Sequence, residues 1–151
     1  MKKYMVDSNI IIEYMKDNLK AVGVINFIKT NPNNEYYITL DTLEEILYVL
    51  LKHFSKKSYW NLKNNPDFTK EIYKKIAYLL EPIITSLFKF VSYTDKTYEL
   101  LFYVCKNYGL LPKDALLIAL CIENNIDNLI TLDEDFKKVN LKEDIKIVNK
   151  I

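Results

Sequence analysis

The 151-residue sequence contains no arginine, since all 21 of its basic residues are lysines. Bidentate guanidinium contacts to phosphate or guanine are therefore excluded, and any polyanion must be bound by ammonium groups. Only two glycines and four prolines are present, so we expect long helices and strands joined by few loops. The two cysteines, Cys105 and Cys121, lack CxxC spacing and stand in apolar helical patterns, which indicates buried thiols without a metal or redox role.

The charge balance and the apolar runs exclude further classes of protein. The net charge of +1 gives no compositional sign of a nucleic-acid binder. No apolar stretch has the length of a membrane span, and Asp7 and Glu13 interrupt the only candidate core of a signal peptide. We therefore expect a cytoplasmic protein without a membrane partner, folded as a single domain over residues 1–151.

Apolar periodicity predicts strands that alternate with helices. Strands are expected at residues 4–7, 36–40, 89–92, 129–132 and 145–148. Helices are expected from a cap at Ser8 or Asn9 to residue 15, over 21–29, from residue 41 or 42 to 54, in the Lys-rich segment 53–86 with a break at 64–67, from residue 94 or 95 to a C-cap at Gly109, and from residue 112 to about 124. This order predicts an α/β fold with three α/β/α layers, in which a central parallel sheet of about five short strands carries helices on both faces.

Four acidic residues fall where the predicted elements meet. Asp7 and Asp133 end strand-like runs, Glu45 lies one turn into a helix, and Asp114 opens another helix behind Pro112. Because open parallel sheets bind ligands beyond the carboxyl ends of their strands, where helix N-termini also point, we expect these acids to converge. Oxygen ligands without His or Cys suit Mg²⁺ or Mn²⁺, and metal-assisted hydrolysis of a phosphodiester is the natural use of such a site.

Each acid alone has a simpler explanation. The only role of Asp7 could be to cap a helix. Glu44 and Glu45, like Asp114, could complement the dipole of the helix that each one begins. Their combination at one predicted edge of the sheet favours a shared metal site over four unrelated explanations.

Four motifs, spread over nearly the whole chain, together resemble the PIN-domain family and particularly its VapC-type toxin branch. They are Val6-Asp-Ser-Asn9, Thr42-Leu-Glu-Glu-Ile46, Lys113-Asp-Ala-Leu-Leu-Ile-Ala119 and Ile130-Thr-Leu-Asp-Glu-Asp-Phe136. The resemblance implies a three-layer α/β/α fold, divalent-metal ribonuclease activity and frequent homodimerisation. It also implies an RNA substrate and, for a toxin, a cognate antitoxin protein.

The resemblance implies a role for each matched residue. The catalytic acids would be Asp7, Glu45, Asp114 and Asp133, and Mg²⁺ (or Mn²⁺) would be held by Asp7, Asp114, Asp133 and the frequent extra acid Asp135. Supporting roles would fall to Ser8, Asn9 and Thr131, of which Ser8 and Thr131 match positions that help hold the water at the metal. Glu44 is the alternative to Glu45, about 100° away around the helix.

An RNA-binding surface is expected from lysines with interleaved aromatic residues after position 51. Lys52, Lys56 and Lys57 are the candidates, although a solvated helical face explains them equally well. The only histidine, His53, is expected at the surface. More large apolar residues are present on the first three helices than one side of a sheet can bury, and Tyr14, Tyr48 and Phe54 are expected to remain exposed in a homodimer interface.

The favoured function is a divalent-metal-dependent endoribonuclease acting as the toxin of a toxin–antitoxin pair. An RNA-processing PIN nuclease without a toxin role, or a catalytically silent PIN-fold module that binds RNA or protein, is the alternative. Phosphoryl-transfer domains share the sheet and an acid after the first strand. The haloacid-dehalogenase pattern, however, requires Asp at position 9, where Asn9 stands, and a receiver domain requires acids where Lys2 and Lys3 stand.

Overall fold

The computed structural model describes residues 1–149 and 151 and joins five short strands into one sheet. The strands are β1 (Lys3–Val6), β2 (Glu35–Ile38), β3 (Lys89–Phe90), β4 (Asn128–Ile130) and β5 (Lys146–Val148). Their order is β3-β2-β1-β4-β5, and every neighbouring pair is parallel. The predicted parallel sheet is confirmed.

Seven α-helices lie in the described part of the chain. They are α1 (Ser8–Met15), α2 (Leu19–Thr30), α3 (Leu40–Ser55), α4 (Tyr59–Asn64), α5 (Pro66–Leu87), α6 (Thr97–Tyr108) and α7 (Pro112–Glu123), and a 3₁₀ turn follows at Asp135–Lys138. Among the described residues, none of these helices combines the length and the apolar character needed to cross a bilayer.

Three helices, α2, α3 and α6, begin at other residues than predicted, and α2 begins early, at Leu19. Helix α3 begins at Leu40, because the Thr39 hydroxyl caps it by accepting a 2.8 Å hydrogen bond from the Thr42 amide. Helix α6 begins at Thr97, which is later than predicted, and its N-cap residue Lys96 makes no side-chain cap bond. The end of α6 is as predicted, since Gly109 adopts the left-handed conformation at φ 66° that glycine reaches without a steric cost.

The sheet separates two apolar cores, which confirms the three-layer arrangement. Side chains of β1 alternate, so that Tyr4 and Val6 pack on the face covered by α1, α2, α3 and α5. Met5 points to the opposite face and packs with residues of α6 and α7, including Val104 and Ile118.

Strand β1 occupies the centre of the sheet, which extends from it on both sides. Strands β2 and β3 extend the sheet on one side, and β4 and β5 extend it on the other. The Asp7 amide donates to the Ile130 carbonyl at 2.9 Å, which aligns the carboxyl ends of β1 and β4. The strand order reverses between β1 and β4, and open α/β sheets bind ligands beyond the carboxyl ends of the strands at such a point. The residues that follow β1 and β4 are therefore expected to line a binding site.

Candidate metal centre and active site

Asp7 lies at the end of β1 and is only 1% exposed. It is also the N-cap residue of α1, the role predicted for Ser8 or Asn9, because its Oδ1 accepts a 2.7 Å hydrogen bond from the Ser8 amide. Its second oxygen accepts from the Thr131 hydroxyl at 2.8 Å and from the Asn9 amide group at 3.3 Å. Asp7 is thus a helix cap and a site residue at once, and these donors compensate the burial of its carboxylate.

A small polar network joins the ends of β1 and β4. The Asn9 amide group donates to Thr131 Oγ1 at 3.1 Å and accepts from the Leu132 backbone amide at 3.1 Å. The Thr131 hydroxyl accepts from the Asp133 amide at 3.0 Å. Asn149, which sequence reasoning missed, donates to the Thr131 carbonyl at 3.0 Å. The network therefore fixes where the chain carrying Asp133 leaves the sheet.

Glu45 enters the site from α3. Its Oε2 accepts a 2.8 Å hydrogen bond from the Ser8 hydroxyl, so Ser8 connects it to Asp7. Glu44 is exposed and lines a neighbouring groove together with Tyr48 and Tyr73. Of the two candidates for the second acid, the structure brings Glu45 to Asp7.

Lys113 completes this part of the site. Its Nζ lies 2.6 Å from the Glu45 carboxylate, 3.2 Å from the Ser8 hydroxyl and 3.9 Å from Asp7 Oδ1. Sequence reasoning missed this residue as a member of the site. The available signal was its position in the first turn of a helix directly before Asp114, which places it at the same edge of the sheet.

Asp114, Asp133 and Asp135 form a cluster in which one carboxylate oxygen of each lies within 4.8 Å of the others. Oxygens on opposite sides of a bound Mg²⁺ are about 4.2 Å apart, so side-chain shifts of less than an ångström would bring these three into contact with one ion. Three carboxylates without nitrogen or sulfur ligands match the preference of Mg²⁺ and Mn²⁺. The donors present therefore fit such a metal.

The acids of the site affect one another electrostatically. Burial and, after it, the negative charges of Asp7 and Asp133 together raise the pKa of Asp114 to about 6. Burial also raises the pKa of Asp7, against the effect of Lys113 and of the hydrogen bonds from Thr131 and Ser8. Carboxylates that resist ionisation when they are alone gain most from a shared cation.

A family model of the PIN domain matches residues 4–142. The chain belongs to the PIN-domain family. The resemblance seen in the four sequence motifs is thereby confirmed.

Curated relatives of this PIN domain include two ribonucleases of Methanocaldococcus jannaschii. Ribonuclease VapC2 is 26% identical over 147 residues, which cover 96% of this chain and 94% of the relative. Ribonuclease VapC6 is 27% identical over 109 residues, which cover 70% of each chain.

Solved structures share the fold of this PIN domain over nearly its whole length. A chain of VapBC2 from Rickettsia felis, bound to a DNA fragment of its promoter, aligns with a TM-score of 0.62 at 18% identity and covers 99% of both chains. A chain of VapBC-1 from nontypeable Haemophilus influenzae aligns with a TM-score of 0.58 at 17% identity and covers 97% of both chains.

The site opens into a cleft of about 650 Å³, which we call the acidic cleft. Its lining includes Ser8, Asn9, Glu45, Lys113, Asp133, Lys16 and Lys20. The last two lysines bring positive charge to the rim, where a phosphate backbone would pass.

The lysines predicted to bind RNA lie elsewhere in this PIN domain. Lys52, Lys56 and Lys57 are exposed at the C-terminal end of α3. Lys52 is two helical turns, about 10 Å along the axis, beyond Glu45, and the other two are farther away. His53 is exposed beside them, as predicted. The structure does not bring these lysines to the acidic cleft.

Proposed function

We propose that this PIN domain is a divalent-metal-dependent endoribonuclease that hydrolyses phosphodiester bonds in RNA and acts as the toxin of a toxin–antitoxin pair. The observation that carries the proposal is the cluster of Asp114, Asp133 and Asp135 oxygens within 4.8 Å of one another at the carboxyl edge of the sheet. The charge of Asp7 acts on Asp114, and Glu45 is linked to Asp7 through Ser8. The two ribonuclease relatives support it independently.

Mg²⁺ or Mn²⁺ would be held by Asp114, Asp133 and Asp135 together with Asp7. A divalent ion at this place supplies Lewis acidity for attack of water on the phosphodiester and neutralises developing charge. The protein side chains around it orient the acids, since Thr131 and Asn9 hold Asp7 through hydrogen bonds of 2.8 and 3.3 Å. Ser8 donates to Asp7 through its backbone amide at 2.7 Å and to Glu45 through its hydroxyl at 2.8 Å, so one residue positions two acids.

The activity is tested by incubating purified protein with single-stranded RNA. Cleavage should require Mg²⁺ or Mn²⁺ and should stop in excess EDTA, because carboxylates without a cation repel the phosphate. Asp7→Asn and Asp114→Asn should each reduce turnover by at least about a hundredfold, the scale on which removal of one electrostatic stabiliser acts. Asp127→Asn is the matched control, since Asp127 precedes β4 at the opposite edge of the sheet and is exposed.

Undiminished cleavage in excess chelator would refute the metal-dependent mechanism. Full activity of either Asp7→Asn or Asp114→Asn would refute the role of that residue. Oxygen ligands suit both Mg²⁺ and Mn²⁺. Parallel titrations with the two metals would decide between them.

The proposed partner is a cognate antitoxin, as the names of the VapBC complexes suggest. Expression of the protein alone should arrest growth in its host, and co-expression with the product of a small adjacent reading frame should restore growth. Asp114→Asn expressed alone is the control and should be harmless. Cleavage of RNA in vitro without growth arrest would instead support the RNA-processing alternative, and a cytoplasmic location follows from either function.

A further inference from the structure

Lys113 lies against the acids of the site and not in open solvent. Its ammonium contacts Glu45 at 2.6 Å, the Ser8 hydroxyl at 3.2 Å and Asp7 at 3.9 Å. Its side chain is nevertheless 48% exposed. One side of the ammonium therefore faces the carboxylates, while the other side remains accessible from the acidic cleft.

This ion pair differs from the pairs within single helices elsewhere on the surface. Lys16 pairs with Glu13 and Lys74 with Glu71, each one helical turn away, as solvated helix faces commonly do. Lys113, by contrast, joins three elements: its own helix α7, the end of β1 and helix α3. Such a pair forms only in the folded chain and only because the topology brings its members together.

Lys113 brings a positive charge to the two acids that it contacts. A lysine ammonium is protonated at neutral pH, and this one lies against Glu45 and Asp7, which the proposed function gives to the active site.

We propose that Lys113 is an internal counter-cation that competes with the divalent metal for Glu45 and Asp7 and moves toward the RNA phosphate when the metal binds. The inference rests on the proposed function, since it needs a metal bound through Asp7, and it extends the ligands of that metal to Glu45. Competition follows from the contacts, because carboxylate oxygens that bind an ammonium at 2.6 Å must release it to approach a metal ion. The four-carbon stem of lysine and its exposed side allow the head group to turn into the acidic cleft.

A purely structural ion pair would behave differently. In that case Lys113 would remain on Glu45 while the metal binds Asp114, Asp133 and Asp135 alone. Loss of the lysine would then destabilise the fold but would leave the affinity for the metal unchanged, because the lysine and the metal would bind different acids. The two cases are therefore separated by metal affinity and metal-free stability measured on the same variants.

The test compares wild type, Lys113→Met and a charge-matched control, Lys16→Met. Lys16 lines the acidic cleft but pairs with Glu13 and does not contact Asp7 or Glu45. Mn²⁺ affinity is measured by titration calorimetry at fixed ionic strength, and the metal-free Tm is measured in EDTA. We expect Lys113→Met to bind Mn²⁺ at least about threefold more tightly, as removal of a competing state predicts, and to have a lower metal-free Tm. Lys16→Met should change the affinity by much less.

Three results would overturn the inference. Equal Mn²⁺ affinity of Lys113→Met and wild type would show that the ammonium does not compete. Equal tightening in both variants would show only a general effect of lost positive charge. A wild type that binds no Mn²⁺ would refute the proposed function as well, and is thereby distinguished from failure of the Lys113 inference alone. Lys113→Gln replaces Lys113→Met if the latter does not fold.

The movement toward RNA has a separate readout. If the displaced ammonium meets a phosphate, Lys113→Met should raise KM for RNA and lower the salt dependence of binding by about one charge. An unchanged KM and an unchanged salt slope would overturn this part of the proposal.

Discussion

The Thr131 hydroxyl donates a 2.8 Å hydrogen bond to the Asp7 carboxylate, although 124 positions separate the two residues in sequence. The same hydroxyl accepts from the Asp133 amide at 3.0 Å. One buried oxygen therefore sets the position of one acid directly and of another through the backbone. Thr131 is fully buried, so no water molecule has room to replace its hydroxyl.

Replacing Thr131 with Val keeps the shape of the side chain and removes three hydrogen bonds, because the hydroxyl also accepts from the Asn9 amide group. We expect the free energy of unfolding to fall by about 1–3 kcal/mol, because the Asp7 carboxylate loses a donor and the Asp133 amide loses its acceptor. Urea denaturation in EDTA measures the change. Thr85→Val is the control, since the Thr85 hydroxyl is exposed and bonds only to carbonyls of its own helix. Equal losses in the two variants would show that the buried network contributes nothing specific.

Asp114→Asn should stabilise the metal-free protein in a pH-dependent manner. In the folded state the pKa of Asp114 is raised from 3.8 to about 6, so ionisation disfavours the fold as pH rises through this window. At pH 7.5 the variant should have a Tm higher by on the order of 2 °C. The difference should disappear below about pH 3, where the acid is protonated in both states. Thermal unfolding in EDTA across this range is the measurement. A difference of the same size at every pH would contradict the assignment.

Metal binding should weaken in mildly acidic solution. Because Asp114 holds a proton up to about pH 6, a metal ligand at this position must release that proton below this pH. Affinity for Mn²⁺ should therefore fall by up to about tenfold per pH unit for each proton displaced. Calorimetry at pH 5 in two buffers of different ionisation enthalpy would detect the released proton. The absence of proton release at pH 5 would exclude Asp114 as a ligand.

Much of the fold could be predicted, because its signals are local. The 3.6-residue apolar repeat and the short apolar runs identified the strands and helices, and the rule for parallel sheets placed Asp7 and Asp133 at one edge. The choice between Glu44 and Glu45 depended on the phase of α3, which Ile46 and Leu47 suggested and the contact with Ser8 supports.

The contacts of Lys113 and Asn149 could not be predicted, because they depend on side chains from elements far apart in sequence. The same reason accounts for the error at Tyr14, which was expected to be exposed. It is half-buried against the core, and the Lys29 ammonium lies 5.8 Å from the centre of its ring. Burial of this kind depends on how α1 and α2 pack, and apolar periodicity does not contain that information.

The predicted homodimer now has a more specific candidate interface. Tyr48 and Phe54 are partly exposed, as expected, but Tyr98 and Phe102 on α6 are 59% and 63% exposed and lie one turn apart. Sedimentation of the wild type at micromolar concentration should give twice the chain mass, and Phe102→Ser should shift it toward the monomer. Lys106→Ser, one turn further along α6, is the control. A monomeric wild type would reject the dimer, and an undisturbed dimer of Phe102→Ser would reject this interface.

The central position of β1 has a consequence for synthesis of the protein. Asp7 emerges from the ribosome well before its partners at β4, since Thr131 follows it by 124 positions. Until then the hydrogen-bond donors of the Asp7 carboxylate are its neighbours Ser8 and Asn9, and β1 has only one of its two strand partners. Non-local contacts of this kind complete late in folding. The acidic site therefore cannot assemble until synthesis has passed β4 and Asp133.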